Sequence, residues 1–204
     1  ATVPASVFIP ATRTFVDFFI QTGEVQADAS VTITASAAGT TRNANMTIRA
    51  EMLTSVTLSV PTAIGGNNVT GTVRLFMPAP TGGLLVNLAS DSPSATMPAS
   101  VTVPAGQLAT NFLIQTGGVA ESTPVVISAQ AGGTPRTARL TLLPATLSTF
   151  TMTPTTIVAG SAGTGVVTLN GKAPADGTLV TIESSDPSKI TPPETVLVPG
   201  GSTS

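Results

Sequence analysis

Ala95-Thr96-Met97-Pro98-Ala99-Ser100-Val101-Thr102-Val103-Pro104-Ala105-Gly106 decides the fold. Val101 and Val103 flank Thr102, so alternate side chains face opposite sides, the period of a half-buried strand. Pro104 and Gly106 then stop the strand, since one fixes φ and the other accepts φ > 0. The same words open the chain as Ala1-Thr2-Val3-Pro4-Ala5-Ser6-Val7. Recurrence of a whole strand-and-turn phrase is the mark of a repeat.

The recurrence extends outward in both directions. Phe18, Ile20, Gln21, Thr22 and Gly23 return as Phe112, Ile114, Gln115, Thr116 and Gly117, and Arg42, Ala44 and Thr47 return as Arg136, Ala138 and Thr141. Over residues 1–49, about 23 positions are identical at an offset of 94. Towards the C-terminus, Pro61-Thr62 recurs as Pro154-Thr155, Gly71, Val73 and Leu75 as Gly165, Val167 and Leu169, and Ala79-Pro80 as Ala173-Pro174. Three segments follow: 1–53 as the C-terminal half of a repeat, 54–145 as a complete repeat, and 146–204 as the N-terminal half of another. Either the chain is a window on a long array, or the terminal halves complete each other between neighbouring subunits.

Within 54–145, period-two alternation marks seven strands: Val56 to Val60, Val73 to Leu75, Val86 to Leu88, Val101 to Val103, Phe112 to Ile114, Val125 to Ala129 and Ala138 to Leu142. Leu113 makes the fifth apolar on both faces. Gly- and Pro-rich turns separate them, and no helical period intervenes. Seven short strands without a crossover helix predict an all-β fold of tandem immunoglobulin-like antiparallel β-sandwiches, about seven strands per unit.

The residue inventory removes whole classes of chemistry. The 204 residues contain no His, Cys, Trp or Tyr and only 9% charged residues. Without His or Cys there is no Ser-His-Asp triad, no thiol nucleophile and no ordinary zinc, haem or iron–sulfur site. A net charge of −2 offers no basic field for nucleic acid. No stretch is long and apolar enough for a membrane-spanning helix. The chain opens without Met or a signal peptide, so a mature segment or an internal window is expected. Absence of Cys argues against a small disulfide-stapled domain.

The phrase from Thr96 to Gly106, followed by the Phe112 strand and the Arg136-Thr137-Ala138 strand, resembles the bacterial Ig-like (Big-type) tandem repeats of long surface and secreted proteins. That resemblance covers the whole chain and implies a tandem sandwich array at the bacterial cell surface or outside the cell. Such repeats serve as stalks, spacers, adhesin shafts and filament bodies, so it implies no particular activity.

Candidate sites are few. Glu183 and Asp186, with Asp91 in the corresponding turn, are the candidates for calcium, which wants six to eight oxygens; no D-x-D-x-D-G run is present, and turn-capping carboxylates are expected. Lys172 and Lys189 raise Lys–Asn isopeptide bonds, but Pro78 and Ala95 stand at the aligned positions, and surface lysines are expected. Asn45-Met46-Thr47 and Asn68-Val69-Thr70 match the N-glycosylation sequon and read as strand and turn residues. Arg42, Arg49, Arg136 and Arg139 read as a solvated strand face or as contacts to a next unit or chain. The ten acids are too dispersed for a paired-carboxylate hydrolase. No catalytic, cofactor-binding or metal residue is assigned, and no cofactor is expected.

Outward strand positions are mainly Thr, Ser and Asn, so copies repel one another weakly. Self-association, as a homopolymer or between neighbouring repeats, is the expected partnership. The expected role is a structural extracellular fibre, filament, sheath or stalk, its half-units completed by neighbouring chains or by the rest of a longer chain. The alternative is an adhesin or accessory module holding a glycan or protein, although sugar sites usually use Trp or Tyr platforms.

Overall fold

The computed structural model describes residues 1–23, 25, 28–48 and 52–204. Arg49 lies outside the described residues. Among the described residues, fifteen strands follow one another: β1 (Ala29–Ala37), β2 (Thr40–Ile48), β3 (Leu53–Leu58), β4 (Thr62–Ile64), β5 (Val69–Leu75), β6 (Leu84–Ser90), β7 (Ala95–Thr96), β8 (Ser100–Val103), β9 (Ala109–Thr116), β10 (Thr123–Gln130), β11 (Arg136–Leu143), β12 (Leu147–Thr153), β13 (Thr164–Leu169), β14 (Thr178–Thr181) and β15 (Thr195–Val198). No helix among the described residues is long and apolar enough to cross a membrane.

Strands β3 to β11 build a two-sheet sandwich. One sheet has the order β3-β5-β9-β7, the other β4-β11-β10-β6-β8. Val73, Val86, Val103, Ile114, Ile127, Leu140 and Leu142, drawn from both sheets, are fully buried between them. Each comes from the inward set of an alternating strand, as in β5, where Val69, Gly71, Val73 and Leu75 are buried and Thr70 and Arg74 exposed. A core of aliphatic residues this size needs no disulfide, since each buried side chain contributes roughly 1.5–3 kcal/mol.

The structure refines three details of the expected strands. Val60 falls outside β3 and is exposed. Here the chain leaves one sheet, with Ser59 N–H donating to Thr70 O, and joins the other at β4, where Thr141 N–H donates to Pro61 O. β4 pairs with β11 in parallel, the one parallel ladder among the described residues. Leu113 points outward and is half exposed, so β9 buries a single face through Phe112 and Ile114.

The flanking segments reuse the local bonding of 53–143. β12 pairs with β13 through a register break between Leu147 and Thr149, and β3 pairs with β5 through one between Leu53 and Ser55. Gly177 N–H donates to Pro174 O as Gly83 N–H does to Pro80 O, and Gly201 N–H to Ala173 O as Gly106 N–H does to Ala79 O. Before β3, Thr2 bridges Gln21 as Thr96 pairs with Gln115. The β1–β2 hairpin occupies the place of β10–β11.

The segment before β1 differs from its counterpart in one respect. Val7 to Ile9 and Phe18 to Ile20 match β8 and β9 in sequence, yet they form no ladder beyond the Thr2–Gln21 bridge. In the sandwich, β8 pairs with β6 and β9 with β5. The counterparts of β5 and β6 are β13 and β14, at the other end of the chain.

Candidate functional site

The most constrained place on the surface is where the sandwich meets the segment after β11. Only Pro144, Ala145 and Thr146 separate β11 from β12. Asn170, just after β13, clasps this connection: its Oδ1 accepts from Thr146 N at 2.8 Å, its Nδ2 donates to Thr146 Oγ1 at 2.9 Å, and its own N–H donates to Thr146 O at 3.0 Å. Across the junction, Lys172 N–H donates to Gly65 O at 2.9 Å.

Glycines let the two backbones approach this closely. A Cβ on Gly118 would lie 2.2 Å from Ala173 O and 2.4 Å from Lys172 O, and one on Gly171 would lie 2.4 Å from Gly65 O. These are backbone atoms that no rotamer change can move aside. Gly66, at φ 96°, lies against Lys172, where an added Cβ would come within 2.7 Å of the lysine Cβ and Cγ. Lys172 is exposed, as the sequence suggests, but its stem and backbone are part of the junction. A turn carrying Gly65-Gly66 thus seats the backbone of 171–173, with Ala173 buried. On the sandwich side, Thr116 Oγ1 fixes this turn, donating to Asn67 O at 2.7 Å and accepting from Gly66 N at 2.9 Å.

The second feature is a set of apolar side chains left more exposed than their counterparts in the sandwich. Phe150 on β12 is 47% exposed, whereas Val56, its counterpart on β3, is 5% exposed. Phe18 is 44% exposed, whereas its counterpart Phe112 is 5% exposed. Val31, Ile33, Met46 and Ile48 on the β1–β2 hairpin are half-buried; the residues at the same places in β10–β11, Val125, Ile127, Leu140 and Leu142, are fully buried. Val167, Leu169, Ala173, Val180 and Val198 form a small core of their own after β11.

The structure places the carboxylates in turns. Asp91 Oδ1 accepts from Val126 N at 2.7 Å, tying the turn after β6 to β10. Asp186 holds Lys189 Nζ at 2.7 Å and accepts from Ser188 Oγ at 2.6 Å and Ser188 N at 3.2 Å. Lys189, followed by Ser188, keeps the Asp186 carboxyl below its ordinary value. Among the described residues no three His, Cys, Asp or Glu side chains gather as a metal site. A shallow recess lies beside the turn after β6, lined by Leu88, Asp91, Ala95 and Met97 among others.

Arg136 departs from the solvated-face expectation: it is half-buried, and its Nε donates to Leu53 O at 3.0 Å, clasping β11 to β3. Arg42 donates to its neighbour Thr41 O, and Arg139 is exposed. Asn45 accepts from Thr32 Oγ1 at 2.9 Å and Asn43 from Thr34 Oγ1 at 2.9 Å, a polar cross-strand ladder on the hairpin. Asn68 lies exposed in the turn before β5.

Sheet orders β3-β5-β9-β7 and β4-β11-β10-β6-β8, facing each other across an aliphatic core, define an immunoglobulin-like β-sandwich. Among solved structures, the D00-D0 domain of Intimin is similar at a TM-score of 0.36 and 14% identity, over 66% of this chain and 75% of that one. A likeness of that size says nothing of function. No family model and no curated relative matches the chain.

Proposed function

We propose that the chain is a structural, non-catalytic segment of a bacterial extracellular array, in which immunoglobulin-like units of about 94 residues join end to end into a stiff stalk or fibre. The backbone-to-backbone junction at Gly65, Gly118 and Lys172 carries this reading. A flexible tether needs no glycine fit and no Asn170 clasp, whereas a load-bearing rod needs each unit fixed on the next. The composition supports an exterior location: with no Cys, the fold is indifferent to redox state, and eight Lys and Arg leave few sites for trypsin-like proteases.

The test is an inter-unit distance. Because the chain lacks Cys, spin labels on Thr137→Cys and Glu194→Cys are unambiguous. A narrow distance distribution is expected, broadened by Gly118→Val. A broad distribution in the chain with native Gly118 would overturn the stiff-rod reading.

A further inference from the structure

We infer that Asn170-Gly171 is a self-modification site at the junction: the closed contact restrains its carboxamide, opening releases it to deamidate, and the isoaspartate product keeps the junction apart. The inference rests on the junction described above and not on what the array does.

Of the seven Asn residues, Asn170 alone is followed by Gly. The nitrogen after the asparagine is the nucleophile, and a residue without Cβ leaves it open to attack. Gly171 N bonds to Asn170 Cγ, the Cγ–Nδ2 bond breaks, and ammonia leaves with the proton of the Gly171 amide. Water then opens the cyclic imide. Opening at Cγ gives aspartate. Opening at the α-carbonyl gives isoaspartate, in which the main chain runs through Cβ and Cγ. One water is consumed and one ammonia released.

The fold restrains the first step. Attack needs the carboxamide to turn towards the Gly171 nitrogen, yet Thr146 holds both of its polar atoms, Oδ1 through its amide at 2.8 Å and Nδ2 through its hydroxyl at 2.9 Å. Asn170 is exposed, so water and base reach it, and no carbonyl among the described residues takes the Gly171 N–H. The barrier is therefore the clasp and the seating of 171–173, and it falls when the junction opens.

The isoaspartate cannot be reseated. It adds one atom to the main chain before Gly171 and draws the clasping Cγ into the backbone. Gly171 lies against Gly65 O, and Gly118 against Lys172 O and Ala173 O, with no room for even a Cβ. A longer main chain displaces 171–173 and breaks the hydrogen bond from Lys172 N–H to Gly65 O. A transient opening is thereby made covalent and permanent.

The experiment incubates the full 204-residue chain at mildly alkaline pH, where the Gly171 amide ionises more readily. Peptide mass spectrometry follows position 170 and tells isoaspartate from aspartate by fragmentation. The folded chain is expected to react at least about tenfold more slowly than the chain unfolded in guanidinium, because attack waits on local opening. Thr146→Val, which removes the hydroxyl that accepts from Nδ2, and Gly118→Val, which lifts 172–173 off the sandwich, each speed the folded reaction about threefold or more. Amide exchange at Val73 checks that the sandwich of both variants stays folded. Chain carrying isoaspartate and the labels on Thr137→Cys and Glu194→Cys is expected to show a broadened distance. Three results overturn the inference: a folded chain that reacts as fast as the unfolded one, no acceleration in either variant, or isoaspartate at position 170 with the labelled distance still narrow. A broad distance before any reaction refutes the stiff rod instead, and the ratio of folded to unfolded rates still decides the inference at Asn170.

Discussion

The Gly71–Phe112 pair gives the most direct test of how this sandwich holds together. Phe112 is 5% exposed, and aromatic side chains remove roughly 150–250 Å² from water. Phe112→Ala therefore costs about 3–5 kcal/mol, transfer and cavity together. Gly71→Ala alone forces a methyl to within 2.2 Å of Cζ, so the ring must leave its rotamer; overpacking of this kind costs about 1–3 kcal/mol. In the double variant the methyl enters space the ring has vacated. The two single costs should then overestimate the double by about 1–3 kcal/mol. Urea unfolding followed by far-UV circular dichroism measures the cycle, since a chain without Trp or Tyr gives little near-UV fluorescence. Amide exchange at Val73 confirms that the central sandwich is being read. Additivity within about 0.5 kcal/mol would show that the ring does not rest on Gly71.

Arg136→Met should destabilise the sandwich by about 1–2 kcal/mol, the lower part of the range for charge-assisted hydrogen bonds because the group is half-exposed; Arg139→Met should stay within about 0.5 kcal/mol, both by urea midpoint. Asp186 has a depressed folded-state pKa, so its contribution is present above the unfolded value and lost as pH falls through the folded one. The Ser188 amide shift should therefore titrate with a midpoint below 3.8, the step vanishing in Asp186→Asn; a midpoint at or above 3.8 refutes the Lys189 clasp. Millimolar calcium should leave Tm within about one degree, because Asp91 and Asp186 already cap turns; a rise of several degrees would restore the metal reading.

Much of the fold was legible because alternation and turn chemistry are local. Val101-Thr102-Val103 followed by Pro104 and Gly106 announces a strand and its stop without tertiary knowledge, and the fully buried residues Val86, Val103, Ile127 and Leu140 all come from alternating strands. The exceptions are tertiary. Val60 continues the alternation of Val56 and Leu58 but sits where the chain changes sheets, which hydropathy cannot mark. Leu113 is apolar yet faces outward, since strand period fixes the side once Phe112 and Ile114 are inside. Arg136 reads as a surface charge because its partner is a backbone carbonyl 83 residues away, and carbonyls leave no trace in sequence. The Gly118 contact was illegible for a similar reason: Gly117-Gly118 reads as an ordinary turn, and only the backbone of 172–173 shows why Gly118 can bear no Cβ.

That contact also limits how far the repetition extends. Strands and loops recur at an offset near 94, but the junction residues do not. Where Lys172 donates its N–H to Gly65, the residue 94 positions earlier is Pro78, which has no N–H to give. Where Gly118 must lack a Cβ, the residue 94 positions earlier is Glu24. A proline and a glutamate cannot reproduce a contact built from a backbone donor and a bare Cα. The strand and turn phrases of 54–145 therefore recur in the sequence, while the residues that make the Gly65–Lys172 and Gly118–Ala173 contacts do not.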